Sequence, residues 1–293
     1  MEFLSQIING LGLGSIYALM ALGYSMVYGI VQLINFAHGD IIMVGSYITF
    51  VFFITMGMPL WVAAIIAVVL CALIGVLIEK IAYQRLLDMG APRISLLITA
   101  IGVSIFLQNL FQLLFSSSGK SIPNLLPSFP IFIGGLQISS VTVITVGVSV
   151  VLMIALQILV KKTKMGKAMR ATSEDAGAAR LMGINPKNTI AFTFAIGSGL
   201  AAVGAVLYCG AYAQITPFMG GMLGLKAFVA AVLGGIGSIP GAMIGGYLIA
   251  IAESLTKALG GSQITDAVVF GILIVVLLVK PAGLLGKNVK EKV

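Results

Sequence analysis

The stretch ISLLITAIGVSIFLQNLFQLLF, residues 94–115, contains no charged side chain. A transmembrane α-helix needs about 20 consecutive, mostly apolar residues to cross the hydrocarbon core of a bilayer. Residues 138–160 form a second run of this kind. Only 9% of the 293 residues are charged, whereas soluble domains carry about 25%. The composition therefore indicates a protein that crosses a membrane several times.

Further apolar runs, separated by Gly, Pro or charged residues, extend along the chain. They lie near residues 7–30, 40–57, 60–78, 94–115, 138–160, 188–213, 222–236, 241–257 and 266–280. The runs at 40–57 and 222–236 are short, and Gly or Pro lies beside them, as in re-entrant half-helices. The sequence predicts an all-α fold, a polytopic integral membrane helical bundle with about eight or nine spanning or re-entrant segments. It leaves open on which side the N-terminus lies.

Lysine and arginine are concentrated in three segments outside the apolar runs. These are residues 79–93, residues 161–187 and the C-terminal tail with Lys280, Lys287, Lys290 and Lys292. Residues 116–137 carry Lys120 alone. Since cytoplasmic loops are enriched in Lys and Arg, we expect the basic segments and the C-terminus to face the cytoplasm. Residues 161–187, termed the basic loop, contain no aromatic residue that could stack on bases, so no nucleic-acid partner is expected.

The segment NFAHGD, residues 35–40, places Asn35, His38 and Asp40 between two apolar runs. An ionisable residue at membrane depth is a functional candidate by default. Two interpretations stay open. In one, these side chains cap a helix that starts at Gly39 or Asp40 by binding its free N–H groups. In the other, Asn35, His38 and Asp40 line a translocation pathway, and we take them as the candidate pathway residues.

The other charged and amide side chains in or beside the apolar runs are expected to be exposed near a membrane interface or to bond between helices. Glu253 and Asp266 flank a loop around residues 258–265, and we expect both to be exposed near the outer interface. Lys226 is also expected near an interface, which its long side chain can reach. Three amide side chains lie within one helical turn of the span 94–115, namely Gln108, Asn109 and Gln112. They can hydrogen-bond to neighbouring helices or face a wet cavity.

The sequence contains no recognisable catalytic motif. The phosphate loop GxxxxGK[ST], the zinc motif HExxH and the nucleophile elbow GxSxG are all missing. One histidine cannot supply the usual metal or triad sets, and Cys71 and Cys209 have no CxxC partner. We therefore expect no catalytic residue, no metal site and no cofactor bound by this chain.

The stretch SEDAGAARLMGINP, residues 173–186, has the pattern of a short, water-facing helix inside the basic loop. Thr172 or Ser173 can cap its start. Glu174 and Asp175 then fall in the first turn, where carboxylates favour the positive end of the helix dipole.

The end of this helix has its own signals. Gly183 suits the left-handed position that follows a helix, and Pro186 prevents continuation. The small residues between would let a soluble partner pack closely, and the alternative is a helix resting on lipid headgroups. The residues predicted to make the docking contact are Glu174, Asp175, Ala178, Ala179 and Gly183.

The segment EDAGAARLMGIN resembles the cytoplasmic coupling segment of ABC-importer permeases, although Asp175, Ala176 and Gly177 interrupt a plain Glu-Ala-Ala start. NGLGLGSIYALMALGYSMVYGIVQLINFAHGDIIMVGSY (9–47) and GLKAFVAAVLGGIGSIPGAMIGG (224–246) are similar to the LivH-type permease of branched-chain amino acid transporters. The similarity runs over nearly the whole chain. It implies a single permease domain, residues 1–293, with a cytoplasmic coupling loop at 161–187.

The resemblance also implies an assembly. A second, LivM-like permease, two cytoplasmic ATP-binding subunits and an extracytoplasmic binding protein would complete an importer in a bacterial or archaeal cytoplasmic membrane. ATP would be hydrolysed by the partner subunits, and the substrates would be leucine, isoleucine and valine. Permeases for urea, short amides or other amino acids are similar, so these substrates are alternatives. An ion-coupled secondary transporter is the alternative from another class, and it would need charged residues at midplane.

Overall fold

The computed structural model describes residues 2–31, 35–123, 125–133 and 136–286. Lys287, Lys290 and Lys292, which contributed to the predicted orientation of the C-terminus, lie outside the described residues. The described helices are α1 (Glu2–Val31), α2 (His38–Thr49), α3 (Leu60–Ile78), α4 (Arg85–Asp88), α5 (Arg93–Phe115), α6 (Ser140–Lys162), α7 (Lys164–Glu174), α8 (Ala176–Leu181), α9 (Pro186–Ala211), α10 (Met219–Gly234), α11 (Ile239–Ala258) and α12 (Thr265–Val279).

Two π-helical segments extend these helices. Phe50–Thr55 prolongs α2, and Glu79–Gln84 joins α3 to α4. The described residues also form four short strands in the antiparallel pairs β1–β4 and β2–β3: β1 (Lys120–Ser121), β2 (Pro130–Ile133), β3 (Leu136–Ser139) and β4 (Gln214–Ile215).

Within the part of the chain that the structure describes, eight helical segments are long and apolar enough to cross a membrane. They are Gly10–Val31, His38–Thr55, Leu60–Asp88, Ile94–Phe115, Ser140–Lys162, Pro186–Ala211, Ile239–Ala258 and Ser262–Val279. The helix Met219–Gly234 is apolar but shorter. The predicted polytopic all-α bundle is therefore confirmed. Of the two runs expected to be short, residues 38–55 form a helix of full length and the run at 222–236 belongs to the short α10.

The centre of the bundle is built on α1, which packs against α6, α9, α10 and α11. Small residues make this possible: a Cβ atom at Gly14 would lie 3.1 Å from Ala250 Cβ, and one at Gly246 would lie 2.6 Å from Ala18 N. Helices in lipid associate through such close backbone approach. By contrast, α5, α6 and α12 are largely unburied and present apolar side chains outward, as expected of lipid-facing helices.

Contacts between loops define the two ends of the bundle. Lys187 Nζ lies 2.6 Å from Asp88 Oδ2, which joins residues 79–93 to residues 161–187 at one end, termed the basic end. The turn at Gly237, before α11, also lies there, in a cavity shared with Arg170. Gly10 packs against Ser254, near the far end of α11. The first residues of α1 therefore lie at the end opposite to the basic end.

Candidate functional site

The NFAHGD segment forms the start of α2 in a way that differs from simple capping. The helix begins at His38, one residue before the predicted Gly39. Its N-cap residue is Ala37, which has no polar side chain to bond the free N–H groups of the first turn. Asn35 Oδ1 accepts from the Ala37 N–H at 3.1 Å and from the Tyr83 hydroxyl at 2.8 Å. The amide thus fixes the turn before α2 and ties it to the π-helical segment after α3.

His38 is buried between α1 and α9. Its ring lies edge-on to the ring of Tyr24 with centroids 4.7 Å apart, and it packs against the backbone at Gly23, where a Cβ atom would collide with the imidazole. His38 Nε2 has no hydrogen-bond partner among the described residues. The glycine makes room for the ring, so His38 fills a helix contact.

Asp40 lies in the first turn of α2 and is fully buried. Its Oδ1 accepts a hydrogen bond from Gln108 Nε2 of α5 at 2.9 Å, and Gln108 Nε2 also lies 3.3 Å from Ser104 Oγ. Asp40 Oδ2 has no partner among the described residues. The carboxylate therefore does not cap α2, as one interpretation of the sequence expected, but faces a polar position on a peripheral helix.

The first turns of α2 and α10 cross beside Asp40. A Cβ atom at Gly39 would meet the Gly220 carbonyl oxygen and would lie 2.7 Å from Gly224 Cα. Phe36, which precedes α2, lies beside Phe228, further along α10, with ring centroids 6.0 Å apart. The helices thus run in opposite directions, and their N-terminal ends meet at Asp40.

A cavity of about 630 Å³ opens at the end opposite to the basic end and reaches the start of α10. It is lined by Gly119, Ser121, Tyr208, Ala211, Tyr212, Ala213, Gln214, Thr216 and Met219. Met219 is the first residue of α10 and adjoins Gly220, whose backbone touches Asp40. The polar and aromatic lining of this cavity therefore ends at the residue that precedes Gly220 at the α2–α10 crossing.

The predicted coupling helix is divided into two. α7 ends at Glu174 and α8 begins at Ala176, with Asp175 between them as N-cap. Asp175 Oδ1 accepts from Gly177 N at 2.7 Å and Ala178 N at 3.0 Å. The prediction that Thr172 or Ser173 caps this helix is therefore wrong. Asp175 takes that role because its extended backbone sharply turns the chain between α7 and α8.

The end of α8 follows the prediction. Gly183 has a left-handed backbone with φ of +78°. Gly183 N donates to Arg180 O and Ile184 N donates to Ala179 O, both at 3.0 Å, which is the bonding pattern of a Schellman motif. Pro186 is the first residue of α9, with Asn185 as its N-cap.

An apolar groove of about 490 Å³ lies between α7 and α8 at the basic end. It is lined by Lys164, Lys167, Ala168, Ala171, Glu174, Asp175, Ala178, Ala179, Met182 and Ile184. Leu181 and Met182 beside it are 89% and 82% exposed. Of the predicted docking residues, Glu174, Asp175, Ala178 and Gly183 are exposed, whereas Ala179 is only 4% exposed. Ala179 forms the floor of the groove rather than a projecting contact.

A buried ion cluster between α10 and α11 was not predicted from the sequence. Lys226 Nζ lies 3.3 Å from Glu253 Oε1 and 2.8 Å from Asp266 Oδ1. Glu253 also pairs with Lys257 at 2.8 Å and accepts from the Tyr17 hydroxyl at 3.0 Å. Glu253 is 4% exposed, so its predicted exposure is wrong: these partners replace the water that a carboxylate loses on burial.

Among residues 2–31, 35–123, 125–133 and 136–286, no three His, Cys, Asp or Glu side chains are grouped so that they could hold a metal ion. The chain combines a buried carboxylate at a helix crossing with an exposed groove at the basic end.

Comparison with known proteins gives consistent matches over the whole chain. Residues 6–278 match the family described as branched-chain amino acid transport system, permease component. The chain is 46% identical to the high-affinity branched-chain amino acid transport system permease protein BraD of Pseudomonas aeruginosa, over 100% of this chain and 98% of BraD. It is 45% identical to LivH of Escherichia coli, over 99% and 98%. The probable LivH of Methanocaldococcus jannaschii is 31% identical over 94% and 90%. No solved structure matches the chain.

Proposed function

We propose a transport role and a set of partners for this chain, starting from its family. The chain belongs to the family of branched-chain amino acid permeases and is the permease component of such an ABC transport system. It moves leucine, isoleucine and valine inward across the cytoplasmic membrane of a bacterium or archaeon, with its C-terminus in the cytoplasm. Separate subunits hydrolyse the ATP that drives the movement.

The groove between α7 and α8 is the observation that carries this proposal. It is apolar, it lies between lysine-rich segments, and exposed Leu181 and Met182 flank it. A contiguous exposed apolar patch at a basic, water-facing surface favours a protein partner, and Leu181 and Met182 are continuous with the apolar groove. We assign the groove to one of two cytoplasmic ATP-binding subunits, with Glu174, Asp175, Ala178 and Gly183 around the contact and Ala179 as its floor.

The pathway is assigned to the α2–α10 crossing and the adjacent face of α5. Ser104, Gln108 and Gln112 follow one another at four-residue intervals on α5 and are half-buried. A polar stripe on a membrane-spanning helix needs a wet cavity or a partner helix beside it. We propose that a second, LivM-like permease closes the pathway along this stripe. An extracytoplasmic binding protein would deliver substrate to the cavity at the opposite end.

The docking assignment can be tested with a matched pair of substitutions on α8. Ala178 lines the groove, whereas Ala176 is exposed on the same helix but does not line it. Ala178→Trp fills the groove and should abolish recovery of the ATP-binding subunits on pull-down, together with leucine uptake. Ala176→Trp should retain both. Equal recovery with both variants would contradict the assignment.

A further inference from the structure

Asp40 is a buried carboxylate whose charge no basic side chain neutralises in the described chain. The ion pairs found among the described residues do not include Asp40. Gln108 donates a hydrogen bond to Asp40 Oδ1, and the Ser104 hydroxyl on the same helix also lies within hydrogen-bonding reach of this carboxylate. Its Oδ2 is enclosed without a partner. Buried polar atoms are nearly always hydrogen-bonded, so an enclosed carboxylate oxygen without a donor marks a place where a ligand can supply one.

The surroundings favour an anion at this position. Asp40 lies in the first turn of α2, and its Oδ1 would be 2.8 Å from a Cβ atom at Gly220, in the first turn of α10. Neither helix has a side-chain cap. The N-terminal end of a helix carries a partial positive charge that stabilises negative groups. Two such ends therefore stabilise the Asp40 carboxylate without using its hydrogen-bonding capacity.

Gln108 covers the carboxylate from the side of α5. Its Nε2 donates to Asp40 at 2.9 Å, and its side chain is only half-buried. Gly39 and Gly220 close the opposite side with backbone atoms. A donor that approaches Asp40 along the polar stripe must therefore displace the Gln108 amide.

We propose that Asp40 binds the α-ammonium group of the amino acid during its passage, and that Gln108 holds the carboxylate when the site is empty. An ammonium group brings three N–H donors and a positive charge, whereas the amide brings one neutral contact at this site. The inference rests on the proposed function and narrows its substrate. A buried anion selects α-amino acids over neutral urea and short amides, because those compounds carry no cationic group.

The first test is Asp40→Asn in the complete transporter reconstituted in liposomes. Asparagine keeps the size of the side chain and an oxygen that accepts from Gln108, but it has no charge. Loss of one charge-assisted contact should lower leucine uptake by about 10–100-fold. ATP hydrolysis should continue, because the groove between α7 and α8 is unchanged. The matched control is Asn109→Ala on α5: among the described residues its amide bonds Ile105 O of its own helix, so its removal should leave uptake unchanged.

A second test uses the unsubstituted transporter and so does not depend on how a variant folds. A water-soluble carbodiimide with a labelled amine is applied during ATP turnover, and the labelled carboxyl groups are mapped by mass spectrometry. Leucine should protect Asp40 and leave the half-exposed Asp88 at the basic end equally labelled.

The outcomes separate this inference from the proposed function. If the unsubstituted complex takes up leucine but Asp40→Asn does so at the same rate, the ammonium site is wrong and the importer stands. Loss of uptake together with loss of ATP hydrolysis would assign Asp40 a structural role. Asp40 labelling that leucine leaves unchanged, or that never occurs in turnover, would also overturn the inference. Failure of the unsubstituted complex to take up leucine would contradict the proposed function itself.

Discussion

The crossing of α2 and α10 should be intolerant of a single added methyl group at Gly39. A Cβ atom there would meet the Gly220 carbonyl oxygen, and it would lie 2.7 Å from Gly224 Cα and 3.2 Å from Gly224 N. All three are backbone atoms, so the strain cannot be relieved by rotating a side chain. Overpacking of this kind destabilises a fold by about 1–3 kcal/mol. We expect Gly39→Ala to lower the free energy of unfolding by that amount.

Gly271 in α12 provides the matched control. A Cβ atom at Gly271 meets nothing within 4 Å, so Gly271→Ala should be neutral or should stabilise its helix by about 0.5–1 kcal/mol. Both variants are unfolded thermally in detergent, followed by far-UV circular dichroism, and leucine uptake is measured in liposomes. Gly39→Ala should also impair uptake, because the crossing positions Asp40. If Gly39→Ala is as stable as Gly271→Ala, the close approach of the two helices is refuted.

Three further substitutions test other contacts. Glu253→Gln leaves the buried Lys226 with Asp266 as its remaining counter-charge and should destabilise the fold by about 1–3 kcal/mol, whereas Asp88→Asn breaks an exposed pair and should cost at most about 1 kcal/mol; equal unfolding curves would contradict the buried cluster. Tyr83→Phe removes the 2.8 Å hydrogen bond to the NFAHGD segment and should cost about 0.5–1.5 kcal/mol in the same assay, so unchanged stability would speak against that bond. Gly183→Val forces a β-branched residue into a left-handed backbone and should reduce recovery of the ATP-binding subunits without lowering the melting temperature of the spans; full recovery would show that the turn after α8 is not needed for docking.

The spans could be predicted from the sequence because the bilayer imposes a simple rule on length and charge. Runs such as residues 94–115 satisfy it without reference to any other part of the chain. The turn at Gly183 was equally predictable, since a left-handed residue after a helix is a local requirement that glycine meets at no steric cost. The family resemblance, carried by three motifs in order, is confirmed over residues 6–278.

Features that depend on distant residues could not be predicted in this way. Glu253 looks exposed beside a loop, yet Lys226 lies 27 positions earlier and covers it only because α10 packs on α11. Asp175, rather than Ser173, caps α8 because the chain turns there, although both residue types are good caps. Ala179 is buried because α8 packs on α9, a contact that fixes which face of α8 remains open.

Leucine uptake into liposomes shows whether this chain transports only as part of an ATP-driven complex. The chain is reconstituted in liposomes with the second permease and the ATP-binding subunits. The binding protein is added outside and ATP is enclosed, and in control samples each of these two is left out in turn. We predict uptake only when all components and ATP are present, and no uptake by this chain alone under a proton or sodium gradient. Gradient-driven uptake by this chain alone would contradict its assignment as a permease subunit that depends on ATP-binding partners.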